Sequence, residues 1–424
     1  MEKEELKAIL VGVQLREDIS YSMDELKGLA EAAGIVSLGQ VVQNMEKTNG
    51  STLIGKGKVA EIAELAHNME ADMVIFNEEL SGMQLRNLED AMDIKVIDRT
   101  ILILDIFASR ATTKEGKLQV ELAQLQYRKP RLLGFGKSLS RQGAGVGTRG
   151  PGEKKLEIDR RLIEKRIDDI KAELKQIIAV RQTQRLKREK NEIPVVALVG
   201  YTNSGKSATM NRLLKNMDQE ESERKVFEKN MLFATLDTHS RRIKLEDNSE
   251  FILIDTVGFV SKLPHSLVEA FKSTLEEASY ADLLVHIVDS SLDEDMVDFQ
   301  RRVTNKVLAE IGAGDKDEIT AFNKIDKADN KPEMLEFDKV YGKDYFYISA
   351  KYNEGIDELL EEIKNRIFAD NVSCKLLIPY DKGNVSSYIM EKAKVLEISY
   401  EENGTLISAI LNSKDYGRFK EYEV

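Results

Sequence analysis

The sequence predicts a multidomain α/β protein: an N-terminal α/β domain followed by a helical hairpin, a P-loop domain on a doubly wound sheet, and a small C-terminal α+β domain. Three observations carry this prediction. The 424 residues exceed what one hydrophobic core supports and suggest roughly two to four domains. Short apolar runs alternate with helix-length segments in two separate regions, which are divided by a long helical stretch. One of the apolar runs leads directly into a glycine-rich phosphate-loop sequence. The expected divisions are residues 1–108, 109–191, 192–369 and 370–424.

In the first division Ala8–Leu15, Ile35–Val42 and Met73–Phe76 read as strands. They alternate with helical stretches at Lys58–Met69 and Met83–Met92. Ser22 is expected to open a helix, with Glu25 at the capping-box spacing and Gly34 closing it. This order favours a largely parallel sheet. Ile101–Lys190 reads as helix around a glycine-rich interruption. Ile163, Ile167, Ile170, Leu174 and Ile177 recur at alternating steps of four and three, a seam expected to pack on the helix carrying Leu118, Leu122 and Leu125. From Ile193 the strand candidates are Val195–Val199, Phe251–Ile254, Leu283–Val288, Glu318–Phe322 and Tyr345–Ile348, spaced as in a doubly wound domain. The C-terminal residues read as strand Lys375–Tyr380, helix Val385–Lys394, and strands Val395–Ser399 and Thr405–Leu411.

Composition narrows the function classes. With 42% apolar and 32% charged residues the chain is neither fibrous nor wholly disordered. A single cysteine, Cys374, excludes an intramolecular disulfide, and four histidines leave little material for a zinc site. No apolar run approaches the roughly 18 residues that span a bilayer, and the acidic N-terminus does not read as a signal peptide. A cytoplasmic location is expected. The net charge of −12 is unevenly spread: Arg128 to Lys190 carry 19 Lys/Arg against 8 Asp/Glu, a net of +11. One basic segment in an acidic chain points to a local polyanion contact.

The chemistry-bearing residues follow strands. After Val195–Val199 comes Gly200-Tyr201-Thr202-Asn203-Ser204-Gly205-Lys206-Ser207, which fits G-x-x-x-x-G-K-[ST]. The glycines let successive N–H groups curl around phosphates, Lys206 reaches the β- and γ-phosphates, and the Ser207 hydroxyl suits Mg²⁺. Asp255-Thr256-Val257-Gly258 follows the next strand, where Asp255 would hold a magnesium-bound water and the Gly258 N–H would meet the γ-phosphate. Asn323-Lys324-Ile325-Asp326 ends a third strand. A carboxylate there accepts both N1–H and N2–H₂ of guanine, a donor pair that adenine lacks. Ser349-Ala350-Lys351 is placed to buttress the base. Thr235, within Phe233-Ala234-Thr235-Leu236-Asp237, falls where a switch loop belongs and is the candidate second Mg²⁺ ligand. Together these motifs predict a P-loop GTPase domain binding GTP and GDP.

The chain resembles the HflX-type GTPases, ribosome-associated members of the translation-factor-related class. The resemblance rests on Gly55-Lys-Gly-Lys58, Val96-Ile-Asp-Arg-Thr100, Ile103-Leu-Asp-Ile-Phe107, Glu115–Leu125, Gly147-Thr-Arg-Gly-Pro-Gly-Glu153, Ile158-Asp-Arg-Arg161, Phe233–Asp237 and Leu263–Phe271. It implies binding to the large ribosomal subunit and its RNA, ribosome-stimulated hydrolysis, and in some members splitting of ribosomes stalled under stress. Where the family commonly has Thr after the Walker serine, Ala208 supplies only its backbone N–H. A monomer is expected.

Two further readings concern catalysis and RNA. Many small GTPases place a water-orienting glutamine after the DxxG glycine; here that residue is Phe259, so intrinsic hydrolysis should be slow, with Lys206 and Thr235 the candidate catalytic residues and no residue assigned as general base. Asn203 in G-x-x-N-x-G-K-S either helps hold K⁺ beside the phosphates or hydrogen-bonds the loop. The segment from Arg141 to Glu153 is too glycine-rich to pack a core and suits a narrow RNA surface, the alternative being a plain linker. The basic charge could equally serve a GTP-dependent recruitment switch peripheral to an anionic membrane or on another RNA–protein partner.

Overall fold

The computed structural model describes residues 5–139, 151–190, 193–216, 239–245, 249–262, 267, 270–327 and 345–424. Its described residues divide into two compact units, one of residues 5–181 with 260–273, the other of the remainder from 182 onward.

The first unit is built on a parallel sheet of β1 (Leu6–Gln14), β2 (Ile35–Asn44), β3 (Met73–Phe76) and β4 (Lys95–Asp98), in the order β2-β1-β3-β4. β1 pairs with β2 on one side and β3 on the other, and its apolar run Ala8–Val11 is wholly buried. That burial explains why the strand reads as continuously apolar rather than alternating. Each of Ile9, Leu10 and Val11 contributes about 1.5–3 kcal/mol relative to exposure. The helices are α1 (Ser20–Ala32), α2 (Lys56–Asn68), α3 (Gly82–Met92) and α4 (Arg99–Arg110). α4 is capped by Asp98, whose side chain accepts the Ile101 N–H at 3.0 Å.

The capping expectation at Ser22 is corrected. α1 starts at Ser20, so Ser22 lies inside the helix, and its hydroxyl donates to Asn77 Oδ1 at 3.0 Å. Glu25 is buried and pairs with Arg99 instead of reaching back to the helix start. The capping box of this unit is Ser81 with Gln84, at the start of α3.

α5 (Lys114–Leu139) and α6 (Pro151–Lys190) run antiparallel through the expected seam. Leu118, Leu122, Ile167, Ile170 and Leu174 are buried, and Arg166 grips Glu121 through two bonds of 2.7 Å. α6 begins at Pro151, so the last three residues of the segment expected as loop are helical. Proline fits there because the first turn has no intrahelical partner for an N–H. Residues 140–150 lie outside the described residues.

The second unit holds a six-stranded sheet, β10-β9-β8-β5-β7-β6. Its strands are β5 (Val195–Val199), β6 (His239–Lys244), β7 (Glu250–Asp255), β8 (Leu283–Asp289), β9 (Glu318–Asn323) and β10 (Tyr345–Tyr347). All pairings are parallel except that of β6 with β7. Central β5 lies between β7 and β8, so its C-terminal end opens where the strand order reverses, the usual ligand position in such sheets. The same unit contains an antiparallel sheet of β11 (Val372–Ile378), β12 (Lys394–Glu401) and β13 (Gly404–Leu411), ordered β11-β13-β12. Helices Gly383–Lys392 and Ser413–Phe419 accompany it, which gives the expected α+β arrangement. Among the described residues no helix is long and apolar enough to cross a membrane.

Candidate functional site

The phosphate-loop sequence lies between β5 and α7 (Lys206–Asn216). It is braced on one side by the DTVG segment. The Thr202 N–H donates to the Phe259 carbonyl at 2.6 Å, and the Phe259 N–H to the Gly200 carbonyl at 3.2 Å. Gly258 is required by proximity, since a Cβ there would sit 2.7 Å from Thr202 Cα. Thr256 Oγ1 donates to the Leu198 carbonyl at 2.7 Å, which holds this segment against β5. Val257 and Phe259 are buried.

Lys206 is buried at the loop, its Nζ donating to the carbonyls of Tyr201 at 2.8 Å and Gly200 at 3.1 Å. Burial pushes its ammonium down to about 8, opposed by the nearby Asp255 carboxylate and reinforced by Lys324. The Ser207 hydroxyl donates to Asp255 Oδ2 at 2.6 Å, so these two oxygen-bearing groups from separate motifs converge. Ser204 is buried, and its Oγ has no hydrogen-bond partner among the described residues. Asn203 adopts a left-handed φ of 61°, which asparagine tolerates better than most residues.

On the base side, Asn323 acts as a brace. Its Nδ2 donates to the Ser204 carbonyl at 2.9 Å, and its Oδ1 accepts the Ala350 N–H at 3.1 Å. Gly205, with φ of 99°, makes room for it, since a Cβ there would lie 2.1 Å from Asn323 Nδ2. Asp326 is oriented by the Ser349 hydroxyl, 2.8 Å from its Oδ1. The Ile325 N–H reaches the Ile348 carbonyl at 3.4 Å. Lys324 has a left-handed φ of 67° and donates to Asp289 at 2.6 Å. Lys351 lies over the Tyr352 ring, 4.6 Å from its centre.

The structure therefore brings together Gly200–Ser207, Asp255–Gly258, Asn323–Asp326 and Ser349–Lys351 at the C-terminal ends of the parallel strands. Phe233, Ala234, Thr235, Leu236 and Asp237 lie outside the described residues. Two supporting residues escaped the motif reading. Asp289, at the end of β8, holds Lys324. Arg212, on α7, donates from Nε to the Ala350 carbonyl at 2.9 Å and from Nη2 to the Lys351 carbonyl at 2.8 Å. The signal for Asp289 was its place at the end of a strand register-paired with Asn323. Arg212 carried no signal beyond its helix.

Comparison with known proteins matches the sequence that builds this site to a family. Family models match in chain order: one described as GTP-binding GTPase N-terminal over residues 20–108, a GTP-binding GTPase middle region over 110–188, a 50S ribosome-binding GTPase over 195–324 and an HflX C-terminal domain over 338–415. A GTPase HflX from Caldanaerobacter subterraneus is 45% identical over 416 residues, covering 98% of this chain and 93% of that protein. The chain belongs to the HflX family of GTPases. The GTPase HflX of Escherichia coli is 38% identical over 401 residues, covering 94% of this HflX-family chain and 92% of its own. A GTP-binding protein from Sulfolobus solfataricus, solved in complex with GDP, is 24% identical, with a TM-score of 0.47 over 86% of this chain and 99% of that one.

Proposed function

We propose that this HflX-family GTPase hydrolyses GTP on the large ribosomal subunit, contacting its RNA, with turnover stimulated there and used to split or rescue ribosomes stalled under stress. The observation that carries the reading is the match of residues 195–324 to the model described as a 50S ribosome-binding GTPase, because that stretch holds the whole braced phosphate loop. The basic segment from Arg128 to Lys190, net +11, suits phosphate contacts on RNA. The four divisions 1–108, 109–191, 192–369 and 370–424 are kept as the working modules of this reading.

Within the site, Gly200–Ser207 cradle the phosphates through backbone N–H groups and the α7 N-terminus, and Lys206 offsets charge on the β- and γ-phosphates. Ser207 and Asp255 present only oxygen donors, 2.6 Å apart, a set that fits Mg²⁺. Thr235 is its proposed further ligand. When bound, the ion neutralises charge on the phosphate oxygens. Asn203, which holds a left-handed backbone in the loop, is the proposed K⁺ ligand beside the phosphates, its alternative role being to shape the loop. The Asp326 carboxylate, oriented by Ser349, reads guanine, and Asn323, Ala350 and Lys351 hold the loop around the base. Phe259 offers no group to orient water, so the ribosome supplies what the chain lacks.

Co-sedimentation of the full chain, loaded with a non-hydrolysable GTP analogue, tests the partner. The expected result is pelleting with large ribosomal subunits, weakening steeply as salt rises. Pelleting with anionic liposomes but not with subunits would replace the ribosome by a membrane surface.

A further inference from the structure

The chain leaves β9 at Asn323 and enters a short 3₁₀ turn, Ile325–Lys327, through a single corner residue, Lys324. That corner has the left-handed φ of 67°. Lysine is a costly occupant of this conformation, because its Cβ crowds the following carbonyl, and glycine or asparagine would be the ordinary choice. Such a backbone persists only where its surroundings hold it. Asp326, the proposed guanine acceptor, comes just after the corner. The direction in which Lys324 sends the chain therefore decides where that carboxylate lies.

The hold comes from the end of β8 and the residues that follow it, all within the same compact unit. The Ser290 N–H and Oγ both donate to the Asn323 carbonyl, at 2.9 and 2.7 Å, so they grip the peptide that precedes the corner. Asp289 Oδ2 accepts from Lys324 Nζ at 2.6 Å, which anchors the side chain of the corner itself. The other carboxylate oxygen, Oδ1, accepts the Ser291 N–H at 3.0 Å and the Ser291 hydroxyl at 2.6 Å, and this fixes its orientation. Asp289 and Ser290 are buried, and the Lys324 side chain is 17% exposed. Beyond the corner the Lys327 N–H closes the turn on the Lys324 carbonyl at 2.9 Å. A largely buried charge pair is weak evidence for stability; what it supplies at this corner is geometry.

We propose that Asp289 and Ser290 are positioning residues for guanine selection, holding the strained Lys324 corner so that Asp326 meets the N1–H and the 2-amino group of the base. The inference rests on the reading of Asp326 as the guanine acceptor and not on the ribosomal partner. It assigns part of the purine specificity to side chains outside N-K-x-D. A corner that relaxes moves the Asp326 carboxylate off the base edge, and the contact most sensitive to that movement is the one that distinguishes guanine from a purine without the 2-amino group.

The test compares GDP with inosine diphosphate, which keeps N1–H and lacks the 2-amino group, by fluorescence titration of the full chain. Wild type should prefer GDP at least about tenfold, since the missing donor leaves a charged acceptor underused. Asp289→Asn keeps the shape and an acceptor oxygen for Ser291 but loses the charge that anchors Lys324. It is expected to lower GDP affinity about tenfold and inosine diphosphate affinity only about twofold, which shrinks the preference about fivefold. Ser290→Ala removes only the hydroxyl and should shrink the preference about twofold, and it carries the test alone if Asp289→Asn does not fold. Lys324→Gly takes the left-handed corner without strain, and adding Asp289→Asn to it should change neither affinity further, because Asp289 acts through Lys324. Equal losses for both nucleotides, an undiminished preference, or effects that multiply in the double variant would overturn the proposal. A wild-type chain that binds both nucleotides equally, or a preference that survives Asp326→Asn, would instead contradict the reading of Asp326 itself.

Discussion

Asn323 and Ser204 lie 119 positions apart in sequence, yet the Asn323 amide donates to the Ser204 carbonyl at 2.9 Å. The same amide accepts from Ala350 at 3.1 Å, so one side chain ties the phosphate loop to the loop that flanks the base. Asn323→Ala would leave two buried backbone groups unsatisfied, at a cost of about 1–3 kcal/mol each. GDP affinity, measured by fluorescence titration, should fall at least about tenfold. Wild-type affinity in that variant would show that the brace contributes nothing to binding.

Lys206 makes binding depend on pH. Its ammonium is held down to about 8 by burial, against 10.5 for a free lysine. Because the folded value lies below the unfolded one, the unfolded chain binds more protons across that window. Stability of the nucleotide-free protein therefore rises with pH from about 8 to about 10.5 and is insensitive to this group below it. Nucleotide affinity moves the other way, since the phosphates favour the charged ammonium. Between about pH 7 and pH 9, GDP affinity should fall about tenfold. A flat profile over that range would mean that Lys206 stays charged in its buried position.

Arg212 extends the base-side brace from α7. Its guanidinium spans the Ala350 and Lys351 carbonyls, at 2.9 and 2.8 Å, in the fork geometry that only arginine offers. Arg212→Ala should weaken GDP binding by about 1 kcal/mol, roughly fivefold, in isothermal titration. Arg212→Lys should recover only part of that loss. Equal binding by all three proteins would leave the arginine with no role at the nucleotide.

The strands that position the site were legible in the sequence because they are buried on both faces. Val195–Val199 and Leu283–Val288 are almost continuously apolar, and each leads into or pairs beside a motif of fixed spacing. β6 was not legible. His-Ser-Arg-Arg-Ile-Lys is an edge strand whose outer side needs no apolar residue, so it carries little periodic signal. Glu25 misled for a different reason. Its spacing from Ser22 matches a local cap, but the partner that decides its conformation, Arg99, is 74 positions away. Local pattern cannot distinguish the two. Asp289 and Arg212 were missed because they act on other side chains or on backbone carbonyls, and such support has no spacing rule.

The central claim, that this GTPase works on the large ribosomal subunit, is tested most directly by GTP turnover with and without purified large subunits. The buried, apolar Phe259, 2% exposed, stands where a water-orienting glutamine would help hydrolysis. Turnover by the chain alone should therefore be slow, rise about tenfold or more when large subunits are added, and lose that increase at high salt. Turnover that is already fast alone and indifferent to large subunits at every salt concentration would contradict the account.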